Sequence, residues 1–148
     1  MEAYLVQHAE AKSKEVDPER PLSETGRGHA EQVAAVAAKL GLEIDEIRHS
    51  GKTRAEQTAT SLGAALSPAQ GVRAAPGLGP VDDVEPIGDE LKALSKPIML
   101  VGHLPFMERL TGYLVAGDAG QAVVDFTNAA IVCLAEEDGH WQVTWILT

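Results

Sequence analysis

The sequence predicts an α/β fold: a single three-layer domain with a mixed, mostly parallel central sheet flanked by helices and a C-terminal hairpin. Segments with strand-like patterns alternate along the chain with segments that have helical spacing. The run Pro97–Gly102 is apolar on both faces, which is typical of a strand buried between two helix layers. Asp138 and Gly139 separate the last two strand segments and indicate a hairpin.

The first half of the chain is predicted to contain two strands and two helices. Ser23 can cap the first helix, whose apolar residues recur at helical spacing until Gly41 provides a stop. A polar loop with two prolines separates this helix from the first strand. In chain order the predictions are strand Ala3–Gln7, loop 8–22, the helix after Ser23, strand Ile44–Ser50 and helix Thr53–Leu66.

The second half is predicted to add two helices around the buried strand and a group of strands at the end. Pro86 is tolerable only in the first turn of its helix, because proline lacks the N–H that a helix interior needs. In chain order the predictions are helix Asp83–Leu94, strand Pro97–Gly102, helix Pro105–Val115, and two or three strands from Val123–Phe126, Ala129–Ala135 and Trp141–Leu147.

Length and composition limit the classes of protein. No repeat or long linker divides the 148 residues, so residues 1–148 are expected to form one domain. Met1–Val6 has no signal-peptide pattern and no stretch is long and apolar enough to span a membrane, so a cytoplasmic location is expected, with no membrane partner. The single cysteine, Cys133, lies in an apolar run and is expected to be a buried free thiol.

The charge of the chain points away from nucleic acid. Lys and Arg number 12 against 22 Asp and Glu, which gives a formal net charge of −10. The same field repels small polyanions unless cations gather locally. Any anion site should therefore concentrate the few cations of the chain.

Three predicted strands end in residues that can carry phosphoryl-transfer chemistry. His8 follows the first strand, Arg54 follows the second, and His103 follows the buried one. Parallel α/β sheets bind ligands at the carboxyl ends of their strands. A neutral imidazole is a nucleophile near pH 7, an arginine binds phosphate oxygens in pairs, and a second imidazole can stabilise charge on the transferred group. Neither a metal nor another cofactor is needed for this chemistry.

Five segments of the chain form a recognisable series of motifs: Gln7-His8-Ala9-Glu10-Ala11, Arg20–Gly26, Ser50–Ala59, Val101–Pro105 and Phe126–Ile131. In this order they resemble the motifs of the histidine phosphatase superfamily, and the resemblance extends over nearly the whole chain. The short chain, without a large insertion, is similar to the SixA-type phosphohistidine phosphatase branch.

The resemblance implies a phosphoglycerate mutase-like fold and a metal-independent phosphatase in signal transduction. It implies that His8 is phosphorylated during turnover, that Arg54 binds the phosphate and that His103 stabilises the transition state. The expected partner is a phosphohistidine-containing protein or a small phosphorylated substrate. By the same resemblance no cofactor is expected.

Gln7 stands where the family has a second phosphate-binding arginine. An amide can donate hydrogen bonds to a phosphate but brings no charge, and losing one transition-state donor can slow turnover by ~10²–10³-fold. Arg20 and Lys52 are, with Gln7, the candidate substrate-binding residues. Lys12 and Lys14 are further cations that could compensate.

The sequence leaves alternatives open. The same pocket could hydrolyse small phosphate esters, or Gln7 could mark a weakly active or inactive module that binds phosphate or phosphohistidine. No general acid stands out: Asp82, Asp83 and Glu85 could approach the pocket or cap a helix. His49 could lie in the site or outside it, whereas His29 and His140 are expected to be solvated.

Overall fold

Six strands and four helices alternate in the computed structural model, which describes residues 1–148. The strands are β1 (Glu2–Gln7), β2 (Glu46–His49), β3 (Val72–Ala74), β4 (Ile98–Gly102), β5 (Ile131–Glu137) and β6 (His140–Leu147). The helices are α1 (Glu24–Lys39), α2 (Thr53–Leu66), α3 (Glu85–Ala93) and α4 (Phe106–Ala116).

The strands form one mixed sheet in the order β3-β2-β4-β1-β5-β6. The first four in this order are mutually parallel, and β5 runs antiparallel to both β1 and β6. The register pairs Gln7 with Gly102 and His49 with Val101, so β1, β2 and β4 end at the same edge of the sheet. The predicted fold class is confirmed, and this edge collects the residues that follow the three strands.

Two apolar cores cover the two faces of the sheet. Small and branched residues of α1 and α2, such as Ala34 and Ala59, pack on one face together with Val6 and Val101. The opposite face is covered by larger side chains of α3 and α4, among them Phe106. Every residue of β4 is buried, as the apolar run predicted.

Most predicted elements are confirmed to within a few residues. Helix α2 has the predicted bounds. Ser23 caps α1 by accepting a hydrogen bond from the Gly26 N–H at 3.0 Å, and Gly41 follows the helix with a φ of +70°. Asp138 and Gly139 both have positive φ values, 54° and 80°, and join β5 to β6 in the predicted hairpin.

Strand content differs from the prediction in two places. Val123–Phe126 is not a strand: no strand of the sheet pairs with it, and Val124 and Phe126 pack against the apolar core that includes Phe106. Strand β3 was not predicted, since its three residues are all exposed at the sheet edge and show no apolar alternation. None of the four helices combines the length and the apolar character needed to cross a membrane.

Candidate active site

The first residues after β1, β2 and β4 form the candidate site at the carboxyl edge of the sheet. His8 follows β1, Ser50 follows β2, and His103 follows β4. The backbone N–H of His8 donates to the Gly102 carbonyl at 2.9 Å, which continues the ladder between β1 and β4 by one residue. The ladder thereby fixes the two histidines side by side, with ring centroids 5.1 Å apart.

The ring of His8 is oriented by its own loop. Its Nδ1 lies 2.7 Å from the Ala9 carbonyl oxygen, and because a carbonyl only accepts, Nδ1 carries the proton. The lone pair of Nε2 is then free. Burial lowers the pKa of His8; the hydrogen bond to Ala9 opposes this shift, and the positive charges of Arg54 and Arg20 add to it. His8 is therefore neutral near pH 7, the state that a nucleophile needs.

His103 is held as a neutral imidazole. Burial lowers its pKa to about 3, and the positive charges of Arg54 and of a protonated His8 add to the shift. The Nε2 atom lies 2.6 Å from the Ser50 hydroxyl oxygen, whereas the buried Nδ1 has no partner. If Ser50 donates to Nε2, the ring proton resides on Nδ1 and is available to an oxygen of a bound anion.

Arg54 brings a positive charge to the histidines from the first turn of α2. Its Nε is buried without a hydrogen-bond partner. Burial and the neighbouring charge of Arg20 both lower the pKa of Arg54. A guanidinium that is partly buried, beside another cation and with an unused N–H, has the properties of an anion ligand.

The Gln7 amide contacts a different part of the chain. Its Nε2 donates to Asn128 Oδ1 at 3.1 Å, and its Oε1 is buried without a partner. Rotating both amides by 180° preserves this hydrogen bond with the donor and acceptor exchanged. In that arrangement the buried unpartnered group of Gln7 is an NH₂, which can donate to an anion but supplies no charge.

Arg20 and Lys52 line a cleft of about 580 Å³ that also includes Arg54. Both residues act on the histidines, since the charge of Arg20 lowers the pKa of His8 and of His103, and Lys52 lowers that of His103. Arg20 also anchors its loop, because its Nε donates to the Lys12 carbonyl at 3.0 Å. Lys52 is the exposed N-cap residue of α2, which no side chain caps.

The three candidate acids are exposed, and two of them accept hydrogen bonds from nearby backbone N–H groups. Asp82 accepts a hydrogen bond from the Gly79 N–H at 2.7 Å, and Asp83 accepts one from the Glu85 N–H at 3.0 Å, at the start of α3. Asp83 thus accepts from the first N–H of α3, whereas Asp82 closes the turn that precedes the helix.

The other histidines and the cysteine lie in structural positions. His49 is buried and its Nδ1 accepts from the Gly51 N–H at 3.1 Å, so it shapes the loop before α2. His29 is partly exposed and His140 is exposed. Cys133 is buried and unpaired, as predicted.

Three residues that contact the candidate site were not singled out from the sequence. Ser50 contacts His103, and Asn128 contacts Gln7. Thr58 of α2 accepts a hydrogen bond from the Ala9 N–H at 3.0 Å, directly beside His8. All three residues lie in segments that resemble the family. Their hydrogen-bond partners are 49 to 121 residues away in the chain, so no local pattern indicates these contacts.

Two neutral histidines and an arginine meet at the carboxyl edge of this sheet, an arrangement suited to phosphoryl transfer with nitrogen as the acceptor. No family model matches the chain. Phosphohistidine phosphatase SixA of Escherichia coli strain K12 is 29% identical over 152 aligned positions, covering 98% of this chain and 92% of the relative.

Solved structures agree with this relation. Protein histidine phosphatase SixA in complex with tungstate superposes with a TM-score of 0.88 at 26% identity, covering 100% of this chain and 97% of that one. A protein of Agrobacterium tumefaciens assigned as SixA has a TM-score of 0.81 at 25% identity, covering 99% and 97%. The chain is a homologue of phosphohistidine phosphatase SixA and shares the fold of the two SixA structures.

Proposed function

We propose that this protein is a metal-independent phosphohistidine phosphatase that works through a phosphorylated His8 and that residues 1–148 act as one histidine phosphatase domain. The observation that carries the proposal is that the rings of His8 and His103 lie side by side, with centroids 5.1 Å apart, and that the Nε2 lone pair of His8 is free. The homology to proteins described as phosphohistidine phosphatases supports the choice of substrate.

In the first step, the Nε2 lone pair of His8 attacks the phosphorus of the substrate. The bond between phosphorus and the substrate nitrogen breaks, and its electron pair stays on that nitrogen. The substrate imidazole leaves neutral, carrying the proton on its other nitrogen. Arg54 and the Nδ1–H of His103 donate to the phosphoryl oxygens, whose charge the transition state redistributes.

In the second step, a water oxygen attacks the phosphorus of phospho-His8. The bond to Nε2 breaks, the electron pair returns to His8, and the water proton passes to solvent, which leaves inorganic phosphate. His8 leaves as a neutral imidazole because its Nδ1 keeps the proton that it donates to the Ala9 carbonyl. An imidazole leaving group needs little help from a general acid, which agrees with the local hydrogen bonds of Asp82 and Asp83.

Mass spectrometry of quenched protein after mixing with a phosphohistidine donor tests the proposal. We expect one added phosphate on His8 and release of inorganic phosphate. His8→Ala should show neither, while its circular dichroism matches that of the wild type, because His8 lies in a loop after β1. Hydrolysis of a small phosphate ester with no activity on phosphohistidine would favour the esterase alternative. Tight binding without an adduct would favour the binding module.

Arg54→Ala should weaken the binding of vanadate, a phosphate analogue, by about tenfold or more, since charge-assisted bidentate contacts are lost. Arg73→Ala is the matched control, because Arg73 lies on β3 and pairs with Glu46. Calorimetric titration of both variants makes the comparison. Equal losses would remove Arg54 from the phosphate site.

A further inference from the structure

The cleft beside the candidate active site is unusual in its charge. Four of its ten lining residues are cations, Lys14, Arg20, Lys52 and Arg54, and Glu19 is its one carboxylate. These four are one third of all Lys and Arg in a chain with a net charge of −10. We refer to this feature as the cationic cleft.

The cations of the cleft have no partners of opposite charge. None of the four forms a salt bridge; of the eight other Lys and Arg residues, three (Arg48, Arg73 and Lys92) pair with carboxylates. In a protein with 22 acidic residues, unpaired cations that face each other across a cleft repel one another. Such an arrangement is stabilised when an anion enters.

The cleft is too large, and lies too far to one side, to serve the transferred phosphoryl group alone. Neither His8 nor His103 lines it, although Arg54 borders the cleft and acts on both rings. Its volume of about 580 Å³ falls in the range of whole ligand sites, roughly 300–1,000 Å³. The cleft therefore has room for the part of a substrate that surrounds the phosphoryl group.

The lining also restricts the chemistry of that neighbouring part. It contains no aromatic side chain on which a nucleobase could stack, and Val81 and two prolines are its only apolar groups. Lysines act as flexible point charges that suit several separate carboxylates. Helix α2 begins in the cleft without a side-chain cap, so the positive end of its dipole faces the same space.

Building on the proposed function, we infer that the cationic cleft binds carboxylate side chains that flank the phosphohistidine of a protein substrate. The substrate class is thus an acidic phosphohistidine segment. The negative field of the remaining surface would repel such a segment everywhere except at this cleft, so the same charges would also orient the partner.

Two phosphohistidine peptides test this inference, one with glutamates and one with glutamines on both sides of the modified residue. We expect kcat/KM to favour the acidic peptide by about fivefold at low salt, as for one or two exposed ion pairs, and the preference to shrink as salt is raised. Lys14→Glu should abolish or reverse the ratio. Lys39→Glu, an exposed residue at the end of α1 with the same change of charge, should leave the ratio intact.

Binding of the same two peptides, made with a non-hydrolysable phosphohistidine analogue, is measured in parallel. An acidic preference in binding that depends on Lys14, without turnover of any phosphohistidine substrate, would uphold the cleft and reject the proposed function. Turnover of both peptides with equal kcat/KM and equal affinity would support the proposed function and reject the role of the cationic cleft. If Lys14→Glu and Lys39→Glu changed the ratio equally, the net charge of the protein would explain the preference for the acidic peptide. That result would overturn the inference.

Discussion

At the scale of single residues, Arg54 and Arg20 provide positive charge that acts on His8, while position 7 carries none. Gln7, the residue before His8, carries a neutral amide that contacts Asn128, while the charge of Arg20 on the long loop acts on His8. Arg20 has a φ of +46°, a backbone conformation that side chains other than glycine and asparagine seldom adopt and that is often associated with function. We therefore expect Arg20 to supply the positive charge that position 7 lacks.

This distribution of charge predicts the effect of Gln7→Arg. The substitution should tighten phosphate or vanadate binding only slightly in the wild type, because the new guanidinium and Arg20 repel each other, but by about tenfold in an Arg20→Ala background. Calorimetric titration of the four proteins gives the coupling. The same gain in both backgrounds would show that Arg20 does not compensate for Gln7.

At the scale of elements, α2 joins the two halves of the site. Its first turn carries Arg54, and one turn later Thr58 donates to the Arg54 carbonyl at 2.9 Å and accepts from Ala9 at 3.0 Å. The helix thereby holds the loop that carries His8. On the other side of this loop, α1 approaches so closely that a Cβ on Gly26 would lie 2.0 Å from the Glu10 carbonyl oxygen, and only glycine fits there.

Thr58→Val should lower the free energy of unfolding by ~1–3 kcal/mol, because it leaves the buried N–H of Ala9 without an acceptor. Turnover should fall as well, since the loop that orients His8 loses its anchor. Thr60→Val is the matched control: Thr60 is exposed on the same helix and donates to its own fourth preceding carbonyl, as Thr58 does. Urea unfolding and kcat measure both effects. Equal destabilisation would assign the loss to helix propensity.

At the scale of the whole molecule, folding holds three histidines in their neutral form. Burial lowers the pKa of His8, His49 and His103 below the ordinary value of 6.5. The unfolded chain binds protons at these positions at a higher pH than the folded chain does. The histidines therefore do not affect stability well above pH 6.5, and they favour unfolding as the pH falls below it.

The free energy of unfolding should therefore decrease from pH 7 to pH 5. His103 contributes at most ~1.4 kcal/mol per pH unit, over a window from 6.5 down to its folded pKa of about 3. Urea unfolding at pH 7, 6 and 5 should show a shallower decrease for His103→Gln than for the wild type. The exposed control His140→Gln should keep the wild-type slope. An unchanged slope in His103→Gln would mean that His103 is not held neutral.

The sequence alone was enough to predict the parts of this protein that depend on local patterns. The alternation of periods predicted the α/β class, the apolar run predicted the buried strand β4, and Asp138-Gly139 predicted the hairpin. The motif order also predicted that His8, Arg54 and His103 follow strands that meet at one edge. Such features can be read from neighbours in the chain because hydrophobic spacing and turn geometry are local properties.

The tertiary structure alone decided the features that depend on contacts between distant residues. Val123–Phe126 has strand-forming residues but no partner strand, since Val124 and Phe126 pack into an apolar core instead, whereas β3 pairs with β2. Likewise, the partners of Gln7 and His103 and the unpaired cations of the cleft follow from how the loops meet across the sheet edge. Pairing, burial and charge balance are properties of the assembled chain, so no local pattern specifies them.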